Sequence, residues 1–187
     1  MAERIKIVGF SGSLRRGSYN SALLRLAPGV VPEGAELELV SLADIPFYNG
    51  DTEDAGMPAP VAEFRAKLAA ADALLISTPE YNSSVPAVLK NAIDWASRGP
   101  DSPLAGKTAA LMGGGGGFGS YRSQSHLREV LRNTGVFELP SPAVQVRQIW
   151  NKFDENLQLL DPRIRNRVAA LLRALVSWTI AMRHHRR

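Results

Sequence analysis

Cysteine is absent from the 187 residues, which removes disulfides, thiolate nucleophiles and cysteine-held metals from the available chemistry and suits a reducing compartment. Long apolar runs are missing as well. The opening residues, MAERIKIVGF, have no signal-like apolar core, and no stretch approaches the length that spans a bilayer. The expectation is a soluble, cytoplasmic protein with no membrane partner. Aromatic residues make up only 7% of the chain and are not interleaved with basic clusters, so a pI near 9.7 does not amount to a nucleic-acid footprint. The formal net charge is +4, and Arg183, Arg186 and Arg187 contribute heavily to it; that tail reads as a solvated helix end. His184 and His185 are adjacent, so on a helix they point in different directions and make no two-histidine metal site.

What the chain does have is ordinary globular composition, 45% hydrophobic and 21% charged, over a length that fits a single domain spanning 1–187. Apolar runs alternate with amphipathic stretches. Strands are expected near Ile5–Phe10, Glu36–Leu42, Ala73–Thr78, Thr108–Met112 and Val136–Val146, with helices between them. That alternation defines an α/β protein whose parallel sheet is covered on both faces. Helices are expected over Asn20–Ala27, Pro60–Ala71 and Pro86–Arg98, the last two entered through a proline. In the final helix Ile164, Val168, Leu171, Leu172, Leu175 and Thr179 form one face, opposite a row of arginines. The segment Ala43–Ala59, rich in Pro, Gly, Asp and Asn, reads as a functional or interface loop.

The segment from Gly9 to Asn20, GFSGSLRRGSYN, directly follows the first strand. Unpaired N–H groups at a strand-to-helix turn, the hydroxyls of Ser11, Ser13 and Ser18, and the guanidinium of Arg15 suit a terminal phosphate. The alternative is a Ser/Gly turn capped by Ser18 or Asn20. A Walker A loop requires Lys followed by Ser or Thr, and here Arg16, Gly17 and Ser18 stand instead; Gly9, Gly12 and Gly17 also lack the G-x-G-x-x-G spacing of a dinucleotide loop. Hydroxyls wrapped around one phosphomonoester point to a mononucleotide held in the flavodoxin manner. In an open parallel sheet the ligand lies beyond the carboxyl ends of the strands. Two further loops of unusual content belong at that rim: Pro79-Glu80-Tyr81-Asn82-Ser83-Ser84 and Gly113–Gly119. Gly114, Gly116 and Gly119 do fit G-x-G-x-x-G, with Glu138 downstream, but a run of five glycines satisfies many such patterns by chance.

The collinear set GSLRRGSYN, PEYNSSVPAVLKNAIDWASR and a glycine-rich loop running into YRSQSHLREVL resembles the NADPH-dependent FMN reductase family, flavodoxin-like reductases of quinones, chromate and ferric complexes. The resemblance runs from Ile5 to about Ala143. It implies a doubly wound five-stranded sheet of order 2-1-3-4-5, FMN at the strand ends, and a homodimer or homotetramer with its sites near the subunit interface. It further implies a hydride passed from NADPH or NADH through FMN N5 to quinones, chromate, ferric complexes or related acceptors in ping-pong order. By the same resemblance Ser11, Ser13, Arg15, Ser18, Tyr19 and Asn20 hold the FMN phosphate end. Pro79, Glu80, Tyr81 and Asn82, with Gly113, Gly114, Gly115, Gly116, Gly117 and Phe118, face the isoalloxazine ring. The family usually carries serine, threonine or bulkier residues among these glycines, and this chain departs from it there.

No side chain is expected to act as a catalytic acid or base, since the chemistry would lie on the flavin. Arg98 is a candidate contact for an anionic acceptor or the NADPH 2′-phosphate. Lys90 and Asn91 are expected to brace the PEYN loop, Asp94 and Trp95 to pack, and His126 to lie at a subunit contact. Two other classes stay open: a flavodoxin-type FMN electron carrier without NAD(P)H activity, and a phosphate-binding α/β domain with no redox role.

Overall fold

The computed structural model describes residues 4–185. Six parallel strands form one sheet: β1 (Ile5–Ser11), β2 (Ala35–Leu39), β3 (Ala73–Ser77), β4 (Thr108–Gly115), β5 (Phe137–Glu138) and β6 (Val144–Arg147). They run in the order β2-β1-β3-β4-β5, with β6 pairing β4 beyond the end of β5. Every residue of β3, ALLIS, is buried, as a central parallel strand covered on both faces must be.

The helices are α1 (Tyr19–Arg25), α2 (Gly50–Asp54), α3 (Ala59–Ala70), α4 (Ala87–Ala96), α5 (Tyr121–Asn133) and α6 (Pro162–His185), with 3₁₀ turns at Ala27–Val30 and Ile149–Lys152. One apolar layer packs Leu23 and Leu24 of α1 with Ile164, Val168, Leu171, Leu172 and Leu175 of α6. The opposite layer packs Val61, Phe64 and Leu68 of α3 with Leu89, Ile93 and Trp95 of α4 and Leu127 and Leu131 of α5. The expected buried stripe of α6 is observed in full, including Thr179, whose hydroxyl lies 2.6 Å from that of Thr108 and donates to the Leu175 carbonyl at 2.7 Å. A polar residue is tolerated there because both partners sit within the core.

Three expectations are corrected. The run Val136–Val146 is two short strands, because Pro140 and Pro142 have no N–H to give to a ladder. β4 continues past Met112 to Gly115, since β6 provides a neighbour for its glycine end, with Met112 opposite Val144 and Gly115 opposite Arg147. The segment Ala43–Ala59 carries a short helix, α2, capped by the Asn49 side chain, which accepts from the Asp51 N–H. In the basic tail Arg183 pairs with Asp72, while Arg186, Arg187 and the side chains of His184 and His185 lie outside what is described. Among the described residues no helix is long and apolar enough to cross a membrane.

Candidate active site

The loop after β1 is tied to the sheet by the Gly12 N–H, which donates to the Ser77 carbonyl at 2.9 Å. A Cβ on Gly12 would stand 3.2 Å from Leu89 and 3.4 Å from Pro79, so glycine allows the close crossing. Hydroxyls then knit the loop to the start of α1. The Ser21 hydroxyl donates to the Ser11 hydroxyl at 3.1 Å and to the Ser13 carbonyl at 3.3 Å, the Ser13 N–H donates to the Ser11 hydroxyl, and Ser18 caps the helix by accepting from the Ser21 N–H. The cap expected of Ser18 is therefore present alongside the loop. The stretch 14–17 is exposed, and among the described residues nothing accepts from its backbone N–H groups or from the Arg15 guanidinium.

Asn20 and Tyr19 are turned elsewhere. Asn20 is 5% exposed; its amide donates to the Gly114 carbonyl at 3.0 Å and accepts from the Gly114 N–H at 2.8 Å. It is a strut between α1 and β4, and both of its polar ends are used. Tyr19 packs its ring 5.9 Å from that of Phe153.

The second loop turns back on itself between Tyr81 and Ser84, whose N–H and carbonyl groups exchange bonds of 3.2 and 3.0 Å. Asn82 and Ser83 both have positive φ, 49° and 62°, the signature of a type I′ turn. Asn visits this region readily, whereas Ser does so under strain. The Glu80 carboxylate accepts from the N–H groups of Arg122 and Ser123 at 2.9 and 3.3 Å, satisfying the open start of α5. Arg122 donates to the Ser83 hydroxyl, and Ser84 is bonded to the His126 ring at 3.0 Å. The Tyr81 hydroxyl lies 3.4 Å from that of Ser13, joining the first two loops. Between them opens a cavity of about 490 Å³ lined by Gly12, Leu14, Arg15, Phe47, Tyr81, Pro86 and the first two residues of α4.

The glycine run divides into two parts. Gly113, Gly114 and Gly115 belong to β4, and the open loop begins at Gly116. Side chains at Gly116 and Gly117 would meet nothing within 4 Å. Phe118 is 66% exposed and lies under the Arg122 guanidinium, 5.8 Å away. Because Gly114 is inside a strand and bonded to Asn20, the Gly114/Gly116/Gly119 pattern is not a dinucleotide turn.

Arg98 is already engaged. Its Nε donates to both Glu53 oxygens, at 3.1 and 2.8 Å, and its guanidinium stands 5.2 Å over the Tyr48 ring. The Tyr48 hydroxyl donates to Glu53 as well, and that bond is the main cause raising the Tyr48 pKa; the Glu53 bond likewise raises that of Arg98. Asn91 accepts from the Tyr48 N–H and donates to the Pro46 carbonyl, which also accepts from Trp95 Nε1. Asn91 therefore braces residues 46–48 rather than the PEYN loop, and Lys90 pairs with Asp94 at 2.6 Å. This latch holds Phe47, 77% exposed, at the mouth of the cavity. The sequence marks the segment 43–59 as a functional or interface loop but does not single out Phe47, Tyr48 and Glu53 within it, because Asn91 and Arg98, which fasten Tyr48 and Glu53, lie 43 and 45 residues away.

A doubly wound parallel sheet with order 2-1-3-4-5 at its centre, its first, third and fourth strands each followed by a loop at one rim, defines a flavodoxin-like protein. Within that class the chain belongs to the NADPH-dependent FMN reductase family, whose model matches residues 5–151. It is 48% identical over 184 residues to an NAD(P)H-dependent FMN reductase of Pseudomonas aeruginosa, covering 98% of this chain and 100% of that one. It is 42% identical over 157 residues to a quinone reductase of Escherichia coli, covering 82% and 84%. Among solved structures it superposes with the flavoenzyme NAD(P)H:(acceptor) oxidoreductase FerB of Paracoccus denitrificans at a TM-score of 0.85 and 28% identity, covering 95% and 98%.

Proposed function

We propose that the chain holds FMN across the three rim loops and transfers reducing equivalents from NAD(P)H to a quinone or a related small acceptor. The observation that carries this reading is the set of N–H groups at 14–17 beside the Arg15 guanidinium, all without a partner among the described residues and opening toward Tyr81. Such donors fit a phosphomonoester. The open space at Gly116 and Gly117 fits a flat ring approaching backbone.

When bound, the flavin supplies the hydride chemistry. The chain's residues bind and orient. Arg15 and the 14–17 N–H groups take the phosphate, with the Ser11, Ser13 and Ser18 hydroxyls fixing the loop. The turn at Asn82 and Ser83 presents backbone N–H groups toward the ring, and Tyr81, held by Ser13, walls one side. One cavity serves donor and acceptor in turn, which gives ping-pong order; its apolar wall of Leu14, Phe47, Pro86 and Val88 selects weakly, so chromate and ferric complexes are reduced along with quinones. Leu14, Phe47, Tyr81 and Phe118 are all exposed at this rim, an apolar surface suited to a second copy of the chain and so to a homodimer.

Fluorescence titration with FMN tests the binding. Arg15→Ala is expected to lose about 1.5–3 kcal/mol of affinity, roughly ten- to a hundredfold, and unchanged affinity would overturn the phosphate assignment. Steady consumption of NADPH in the presence of a quinone separates a reductase from an electron carrier.

A further inference from the structure

A second cavity, about 590 Å³, opens where β6, the turn Ile149–Lys152 and the start of α6 meet. Arg147, Lys152, Arg163 and Arg167 line it, and Asp161 is its one carboxylate. Asp161 is already engaged: Arg163 donates to both of its oxygens at 2.9 Å, and Lys152 lies 3.6 Å away. The Arg167 guanidinium donates only to the Gln145 carbonyl, at 3.1 Å, and among the described residues Arg147 has no partner. Two guanidiniums from different elements therefore face one cavity without a counter-charge. Arg163 and Arg167 follow one another along α6, whereas Arg147 comes to the same cavity from β6.

The cavity adjoins the candidate site. Arg147 stands opposite Gly115 in the ladder, and the Gln148 N–H, on a residue of positive φ, donates to the Gly116 carbonyl at 3.1 Å. The glycine loop and the cationic cavity therefore share this corner, on the paired strands β4 and β6. Because Gly114 is buried in β4, the glycine run offers no dinucleotide fingerprint for a pyrophosphate, and at this corner the arginines are the groups suited to a phosphate. We propose that Arg147 and Arg167 receive a phosphomonoester dianion, the 2′-phosphate of NADPH, when its nicotinamide occupies the rim cavity. Paired guanidinium forks match such a dianion and have nothing equivalent to hold on NADH. The proposal rests on the NAD(P)H reading above.

Calorimetry on the full chain tests it without turnover. The probes are 2′,5′-ADP, 5′-AMP and inorganic phosphate. Wild type is expected to bind 2′,5′-ADP at least tenfold more tightly than 5′-AMP or phosphate, and Arg147→Ala/Arg167→Ala is expected to abolish that preference. Arg147→Glu, at an exposed position, provides a second variant that the fold accommodates. In steady state the double variant is expected to raise KM for NADPH at least tenfold and KM for NADH less than twofold. Equal binding of the three probes, binding unchanged in both variants, or equal KM shifts for the two donors would each overturn the proposal. FMN uptake, read by fluorescence in the same preparations, reports on the flavin reading separately: normal uptake with no 2′,5′-ADP preference removes this proposal alone, and absent uptake removes the other.

Discussion

A methyl group added at Gly113 would run into the Thr78 carbonyl oxygen and the Ser120 hydroxyl, and at Gly114 into the Ile149 side chain, yet at Gly116 and Gly117 it would meet nothing within 4 Å. Packing thus requires the first part of this run and leaves the second open. Gly113→Ala is expected to destabilise the fold by about 1–3 kcal/mol through overpacking against backbone, read as a lower urea midpoint. Gly117→Ala, at an open position, is expected to stay within about 0.5 kcal/mol of wild type while weakening FMN binding measured by fluorescence. Unchanged flavin affinity in Gly117→Ala would remove the loop from the ring site. The sequence displayed the run but not its division, because the atoms that crowd Gly113 and Gly114 come from Thr78 just after β3, from α5's entry and from the turn after β6. Asn20 is the same lesson in reverse: it lies in a phosphate-loop motif, and its amide is used to hold β4.

At the scale of elements, legibility followed periodicity. The apolar stripe of α6 was readable because each position answers to one helix and one sheet face, and β3 was readable as an uninterrupted apolar run. The latch of Tyr48, Glu53 and Arg98 was not, since it joins a loop to the end of a helix through polar contacts that leave no periodic trace. The start of α6 carries a similar local device. Asp161 accepts from the Arg163 guanidinium and N–H and lies near Lys152, and the Arg163 hydrogen bond is the main cause holding its carboxyl down to about 2. A carboxylate whose folded pKa lies below its unfolded value stabilises the fold above the unfolded value, near 4, and that contribution is lost as pH falls toward 2. Solvent screening keeps the effect modest. Asp161→Asn is expected to lower Tm at pH 7 and to converge with wild type near pH 2, followed by circular dichroism; parallel Tm curves over that range would show that the carboxylate contributes nothing.

For the molecule as a whole, the two apolar layers share one sheet, with Ala73, Leu75, Ala110 and Met112 facing one layer and Leu74, Ile76, Ala109 and Leu111 the other. Strain or loss of packing on either side is felt by the same strands, so the chain is expected to unfold in one transition, as a single domain. The parallel sheet covered on both faces was legible from the alternation of strands and helices, and its order only from the family resemblance, while the sixth strand was hidden because its pairing with β4 depends on glycines that look like loop. The candidate flavin site uses the ends of β1, β3 and β4, which lie in both layers' reach, so ligand binding is linked to unfolding of the entire chain. FMN at a hundredfold excess over its Kd stabilises a native state by about 2.7 kcal/mol, which for a chain of this length corresponds to a rise in Tm of roughly 5–10 °C. Differential scanning calorimetry with and without FMN is expected to show one endotherm moving by that amount. Two endotherms of which only one moves would mean that the layers unfold independently, and an unmoved single endotherm at saturating FMN would mean that the rim loops do not hold the flavin.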